Sequence, residues 1–165
     1  PRRGITPLQN QKAKIQDAVN DLSAGGNTNI PAGLGWAWRV LKPEAPFTEA
    51  IENPDYKREQ AIVLLTDGEN CGNSGDGYRR VFGSCSGGRA DMNDRLKKLA
   101  YNVKSDGVIV YVIQFANEGT ELQELLKQVA SGPESPYYHY APTSDALKQV
   151  FRNIANHLSS LRLSK

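Results

Sequence analysis

Two short apolar segments place the strongest constraint on what this chain can fold into. Residues 61–65 (AIVLL) and 108–115 (VIVYVIQF) are almost entirely apolar, and polar or turn-forming residues flank both. Uninterrupted apolar runs of this length are typical of strands that are buried on both faces of a parallel sheet. A third segment, 137–141 (YYHYA), has the aromatic content of a shorter strand. We therefore predict three strands, of which the first two are buried on both faces.

Segments with helical periodicity separate these predicted strands. Apolar residues recur at intervals near 3.6 within residues 8–22, 31–42, 90–105, 120–130 and 144–161. The predicted order is therefore α-α-β-α-β-α-β-α. Strands that alternate with helices imply right-handed crossovers, a parallel sheet and helices on both of its faces. We expect one α/β domain over residues 1–165, which is a usual length for a single domain.

Charge and hydropathy argue against two classes of partner. Lys and Arg number 20 and Asp and Glu number 18, and the net charge of +2 is too small and too dispersed to favour a nucleic-acid ligand. The longest apolar run, 108–113, falls far short of the roughly 20 residues that a membrane-spanning helix needs. Because the chain begins with Pro1 rather than Met, we expect a processed or excised segment, and the missing part could carry a signal or a membrane anchor.

Two loops carry residues that could bind a ligand. Asp67 directly follows the first predicted strand, and ligands of α/β sheets bind beyond the carboxyl ends of the strands. Its carboxylate could hold a hard cation such as Mg²⁺, or it could only cap the turn. Residues 25–30 (GGNTNI) open a predicted helix, where they could contact a phosphate or serve only as an N-cap. This loop lacks the lysine of a P-loop.

Taken together, three segments resemble the von Willebrand factor A family. Residues 25–34 (GGNTNIPAGL) resemble its second metal-binding loop, and residues 62–68 (IVLLTDG) resemble a strand and its third metal-binding loop. Residues 137–141 and the helix after them resemble its last strand and helix. The longer segment 25–49 is more closely similar to the TadG-like proteins of bacterial Tad pilus assembly.

The resemblance implies a von Willebrand A fold and a role in binding another protein rather than in catalysis. In the family, a divalent cation such as Mg²⁺ or Mn²⁺ occupies a metal-ion-dependent adhesion site and accepts an acidic side chain of the partner. Matched position by position, Thr28 and Asp67 correspond to the family's threonine and aspartate ligands. The resemblance also implies an extracytoplasmic location, in the periplasm or cell envelope, and a part in assembling Tad-type pili.

One piece of the family's metal site is missing from the sequence. The Asp-x-Ser-x-Ser motif that follows the family's first strand does not occur, and residues 21–25 (DLSAG) lack its second serine. The family's first strand would precede Pro1, so we expect a domain that is truncated on its N-terminal side. We therefore expect these residues to bind Mg²⁺ or Mn²⁺ weakly, at millimolar concentrations, or not at all. We also expect an open sheet edge along residues 61–65.

The two cysteines, Cys71 and Cys85, lie in one glycine-rich loop and support two different hypotheses. The extracytoplasmic setting that the resemblance implies favours a disulfide between them, although two free thiols are also compatible with the sequence. Alternatively, residues 83–87 (GSCSG) have the form of a nucleophile elbow, which would make Cys85 the nucleophile of a thiol hydrolase. Such an enzyme needs a base, and the two histidines of the chain are His139 and His157. A third hypothesis is a structural scaffold with a degenerate metal site.

Overall fold

A parallel three-stranded sheet forms the centre of the fold in the computed structural model, which describes residues 4–23, 25–50, 58–71, 85 and 89–163. The strands are β1 (Ala61–Thr66), β2 (Ile109–Phe115) and β3 (Tyr138–Ala141), paired in the order β1-β2-β3. In register, Val63 lies beside Tyr111, and Val112 lies beside Tyr138. The predicted parallel sheet is confirmed, and β1 forms one edge of it within the described residues, as expected.

Five helices lie in the described residues, in the order that we predicted. They are α1 (Lys12–Asn20), α2 (Ile30–Val40), α3 (Arg89–Ser105), α4 (Thr120–Val129) and α5 (Ser144–Leu163). The start of α2 has a local cause, because the Asn29 side chain accepts a hydrogen bond from the Ala32 amide at 3.0 Å and Pro31 suits the first turn. None of the helices in these ranges combines the length and the apolar character that crossing a membrane requires.

Helices cover both faces of the sheet, which confirms the predicted α/β architecture. On one face, α2, α3 and α4 pack against alternate side chains of β1 and β2. The core on this face includes Leu34, Ile62, Leu96, Val110, Val112 and Leu126. On the other face, α5 packs against Tyr111 and Ile113 of β2 through Val150 and Ile154. Each fully buried side chain of this size stabilises the fold by about 1.5–3 kcal/mol, so the two cores hold the strands and the loops at their ends in place.

The prediction that β1 is buried on both faces is wrong for the described structure. Val63 and Leu65 are 40% and 46% exposed. These side chains lie beside Tyr111 and Ile113, and so they share the face that α5 covers. However, α5 packs against β2 and β3, which leaves this face of β1 open among the described residues. An apolar run predicts burial, but the positions of the neighbouring elements decide which face is covered.

The first helix is shorter than predicted and lacks the expected packing. It begins at Lys12 rather than at residue 8, and none of its residues is buried. The apolar side chains that the periodicity places on one face, among them Ile15, Val19 and Leu22, are 42%, 58% and 70% exposed. No described element packs extensively against α1. The periodicity identified an amphipathic segment, but it contained no information about a partner for the apolar face.

Candidate functional site

Asp67 lies on a tight turn at the carboxyl edge of the sheet, immediately after β1. The Thr66 hydroxyl donates to the Gly68 carbonyl at 3.0 Å and accepts from the Gly68 amide at 3.3 Å, which fixes the turn. In the loop after β2, the Asn117 side chain donates to the Asp67 carbonyl at 3.1 Å. The main chain of Asp67 is therefore held in place while the residue itself is exposed. A ligand in solvent can contact Asp67 without a rearrangement of the fold.

Thr28 lies directly beside this turn, in the loop that precedes α2. A Cβ atom on Gly68 would lie 3.1 Å from the Thr28 hydroxyl oxygen, which is closer than ordinary van der Waals contact. Glycine at position 68 therefore leaves room for the threonine hydroxyl. The Cys71 amide also donates to the Thr28 carbonyl at 2.7 Å, and this bond joins the two loops. The loops that carry Thr28 and Asp67 thus lie together, but metal binding by these two residues stays a prediction.

The chemistry of this pair suits part of a site for a hard divalent cation. A threonine hydroxyl and an aspartate carboxylate offer oxygen, the donor atom that Mg²⁺ and Mn²⁺ prefer. Mg²⁺ takes about six oxygen ligands in near-octahedral geometry. In the described part of the chain, no group of three or more His, Cys, Asp or Glu residues is placed to hold a metal ion. Thr28 and Asp67 can therefore supply part of a coordination shell, and water or further residues would have to supply the rest.

A buried asparagine that we did not single out in the sequence connects the two loops. Asn70, in the loop after Asp67, is 0% exposed. Its Oδ1 accepts from the Ile30 amide at 3.1 Å, and its Nδ2 donates to Asn93 Oδ1 at 2.7 Å. Hydropathy and periodicity do not distinguish a buried polar side chain from an exposed one. Its closeness to the Asp-Gly turn was therefore the one signal that could have identified it.

Gln114 forms a second buried polar contact at the same edge. It is 1% exposed and lies within the otherwise apolar β2. Its Nε2 donates to the Asn117 carbonyl at 2.5 Å, and its Oε1 accepts from the Tyr138 hydroxyl at 2.7 Å. At its ordinary pKa of 10.0 this hydroxyl already keeps its proton at neutral pH, and burial raises the pKa of Tyr138 further. Gln114 and Tyr138 therefore support the loop from which Asn117 donates to Asp67, and a glutamine inside an apolar strand was the sequence signal for this contact.

The structure places Cys71 and Cys85 as a disulfide pair, with their Cα atoms 4.2 Å apart. Cys71 belongs to the loop that is hydrogen-bonded to Thr28, and the side-chain nitrogen Nδ2 of Asn27 lies 4.0 Å from the Cys85 sulfur. Residues 72–84 and 86–88 lie outside the described residues. They include Val81 and Phe82, which would have to form the strand that precedes Cys85 in a nucleophile elbow. The bridge adjoins the Thr28 loop, and its formation in the protein stays a prediction.

The two histidines make contacts that do not involve Cys85. The Nε2 atom of His139 lies 2.9 Å from the Pro136 carbonyl, and Nδ1 of His157 lies 2.7 Å from the Tyr111 hydroxyl. A cysteine in a disulfide has no thiolate that could act as a nucleophile. The described residues therefore contain no assembled cysteine–histidine pair of the kind that a thiol hydrolase uses.

Comparisons with known proteins identify relatives of this fold. A family model described as the von Willebrand factor type A domain matches residues 3–153. Among solved structures, the pilus adhesin SpaC from Lactobacillus rhamnosus GG is 18% identical, with a TM-score of 0.60 over 88% of this chain and 21% of that chain. Proximal thread matrix protein 1 from the mussel byssus is 21% identical, with a TM-score of 0.55 over 87% of this chain and 28% of that chain.

These structural relatives are much longer than the present chain. The chain spans 21% of the adhesin and 28% of the matrix protein, and at these identities the likeness shows the fold alone. No curated protein sequence matches the chain.

Proposed function

Because the chain belongs to the von Willebrand factor type A domain family, we propose that it is a non-enzymatic protein-binding module with a metal-ion-dependent adhesion site. Domains of this family typically mediate adhesion between proteins. The observation that carries the proposal is the position of Thr28 beside the Asp67 turn, at the carboxyl edge of the sheet. This is the edge at which open α/β folds bind their ligands.

In the proposed site, the Thr28 hydroxyl and the Asp67 carboxylate hold Mg²⁺ or Mn²⁺. The cation supplies an open coordination position that accepts an acidic side chain of a partner protein. The bond from Asn117 to the Asp67 carbonyl holds the main chain from which the carboxylate projects. An Asp-x-Ser-x-Ser motif, which the 165 residues do not contain, would complete the ligand set. In this proposal, the motif order of the family places it before Pro1.

We further propose that the module acts in the assembly of Tad-type pili at the bacterial envelope, outside the cytoplasm. The similarity of residues 25–49 to TadG-like proteins supports this setting. The oxidising conditions of that compartment would also permit a bond between Cys71 and Cys85. Any membrane anchor would, in this proposal, lie in a segment that precedes Pro1.

Binding of Mn²⁺, followed by electron paramagnetic resonance, tests the proposed site. We expect the 165-residue chain to bind Mn²⁺ at millimolar concentrations or not at all, and a longer form with an Asp-x-Ser-x-Ser motif to bind it more tightly. In that longer form, Asp67→Ala should abolish binding, because it removes the charged member of the pair. Asp94→Ala is the matched control, since it removes an exposed carboxylate from α3.

Three results would change the proposal. Micromolar binding by the 165 residues would reveal a ligand in addition to Thr28 and Asp67. Retained binding in the Asp67→Ala variant would place the cation elsewhere. No binding by the longer form would overturn the adhesion site and favour the structural scaffold with a degenerate metal site.

A further inference from the structure

Among the buried polar side chains of the described residues, Asn70 is the least exposed, at 0%. Asparagine is mostly found on protein surfaces, so its burial here requires an explanation. A buried amide that lacks hydrogen-bond partners destabilises the fold, because water no longer solvates its nitrogen and oxygen. Both ends of the Asn70 side chain have a partner in this structure, and both partners lie far from it in the sequence.

The oxygen of Asn70 is bonded to the loop that carries Thr28. Oδ1 accepts from the amide of Ile30, the first residue of α2, at 3.1 Å. The next residue along the chain, Cys71, donates its amide to the Thr28 carbonyl at 2.7 Å. The two bonds lie on either side of Asn29. Together they hold residues 28–30 against the segment that follows Asp67.

The nitrogen of Asn70 is bonded to a helix of the core. Nδ2 donates to Asn93 Oδ1 at 2.7 Å, and the preceding residue of α3, Met92, is 0% exposed. Asn93 therefore lies on a helix that is anchored in the interior. Because Nδ2 is directed to Asn93, Oδ1 is the atom left to accept from the Ile30 amide. The core helix thus sets the orientation of the amide that holds the Thr28 loop.

We propose that Asn70 is the positioning residue of the site, and that it sets the distance between the Thr28 hydroxyl and the Asp67 turn. This inference rests on the proposed function, in which Thr28 and Asp67 together hold a cation. Asn70 is fully buried and bonded at both ends, so it acts through Thr28 and is not itself a ligand. The close approach of Thr28 to Gly68 is a second observation of the same contact between the loops.

Amide hydrogen exchange in the metal-free protein measures this contact without any bound ion. In Asn70→Ala, the Ile30 amide loses its acceptor, and we expect it to exchange at least tenfold faster. Amides of β2 should keep their protection, because that strand lies in the two cores. Asn102→Ala, which removes an exposed amide from α3, is the matched control and should change neither rate.

Binding of Mn²⁺ to the longer form that contains an Asp-x-Ser-x-Ser motif, measured by electron paramagnetic resonance, then tests the positioning role. We expect Asn70→Ala to lower the affinity at least tenfold, whereas Asn102→Ala should leave it unchanged. If Asn70→Ala does not fold, Asn93→Ala gives a milder test. It removes only the partner that orients the Asn70 amide, and we expect it to raise the Ile30 exchange rate and lower the affinity by smaller factors.

The outcomes separate this inference from the proposed function. Unchanged exchange at Ile30 in the variants would overturn the contact as the support of the Thr28 loop. Faster exchange with unchanged Mn²⁺ affinity would overturn the positioning role alone. Failure of the longer form without substitutions to bind Mn²⁺ would overturn the proposed function, and the role of Asn70 with it.

Discussion

Tyr138 and Gln114 show how one hydrogen bond between buried side chains can support a loop of the candidate site. Tyr138→Phe removes the hydroxyl that donates to Gln114 Oε1 at 2.7 Å. Gln114 is 1% exposed, so we expect the loss of this partner to lower the free energy of unfolding by about 1–3 kcal/mol, measured by urea denaturation. Tyr140→Phe is the control, because its bond to Glu118 is exposed, and it should cost less than about 0.5 kcal/mol. Equal losses would contradict this role of Tyr138.

The carboxylate of Asp106 makes the stability of the folded protein depend on pH under acidic conditions. Its Oδ2 accepts from Trp38 Nε1 at 2.9 Å, and Lys42 forms an ion pair with the same carboxylate. Two hydrogen bonds lower the pKa of Asp106 from its ordinary value of 3.8, and the one from Lys42 has a larger effect than the one from Trp38. A carboxyl group with a lower pKa in the folded than in the unfolded state stabilises the fold above its ordinary pKa. This stabilisation is lost as the pH falls through the lowered pKa.

Asp106→Asn should therefore reduce the fall in unfolding free energy between about pH 5 and pH 2. We expect the change to be no more than about 1 kcal/mol, because the carboxylate is 35% exposed and solvent screens the pair. Denaturation at a series of pH values measures it. Asp145→Asn, at the exposed start of α5, is the control for the loss of one surface carboxylate. If the unfolding free energy falls by the same amount in the wild type and in Asp106→Asn, the pair of Asp106 and Lys42 does not contribute to the pH dependence of stability.

Among the secondary structure elements, β1 combines an open edge with an open apolar face. It pairs with β2 on one side, and within the described residues no strand pairs with its other side. Alternate N–H groups of such a strand face away from its neighbour and remain available to solvent or to another chain. Val63 and Leu65 add exposed apolar surface to this edge. An edge of this kind favours pairing with another chain.

Amide hydrogen exchange should distinguish β1 from β2. We expect amides in residues 61–65 to exchange faster than those in residues 108–113, because β2 is paired on both sides and lies between the two cores. The measurement is made at low protein concentration, where the chain is monomeric, so that self-association does not protect the edge. Strong and equal protection of both strands in the monomer would show that something covers the edge of β1.

At the scale of the whole molecule, the Cys71–Cys85 bridge links the loop after β1 to the segment before α3. We expect protein matured in the periplasm to contain this disulfide, which non-reducing mass spectrometry with alkylation detects. The bond joins residues 14 positions apart and lowers the entropy of the unfolded chain, which raises the free energy of unfolding by up to about 3 kcal/mol. Reduction should therefore lower the Tm by no more than about 10 °C. Two alkylatable thiols in the unreduced protein would contradict the disulfide and restore Cys85 as a possible nucleophile.

Much of the fold could be predicted because it follows from local properties of the chain. The order of helices and strands agrees with the structure, and the predicted ends of the strands differ from the observed ends by at most one residue. Either Thr28 or Asn29 could cap α2, and Pro31 suits its first turn; the observed cap is the side chain of Asn29. The site was less accessible to this reasoning. Asp67 was a candidate from its position after β1, Thr28 was identified as a ligand only through the family resemblance, and the buried partners Asn70 and Gln114 were not identified at all.

By itself, the sequence determined which segments become helices and strands and which of their faces are apolar, because periodicity and hydropathy depend on residues close together in the chain. Only the tertiary structure decided which apolar faces are covered, and it left those of α1 and part of β1 exposed. It also decided that Asn70 is buried and bonded to Ile30 and Asn93, which lie 40 and 23 positions away in the sequence. Contacts at such separations depend on how the elements pack, and no local pattern in the chain encodes them.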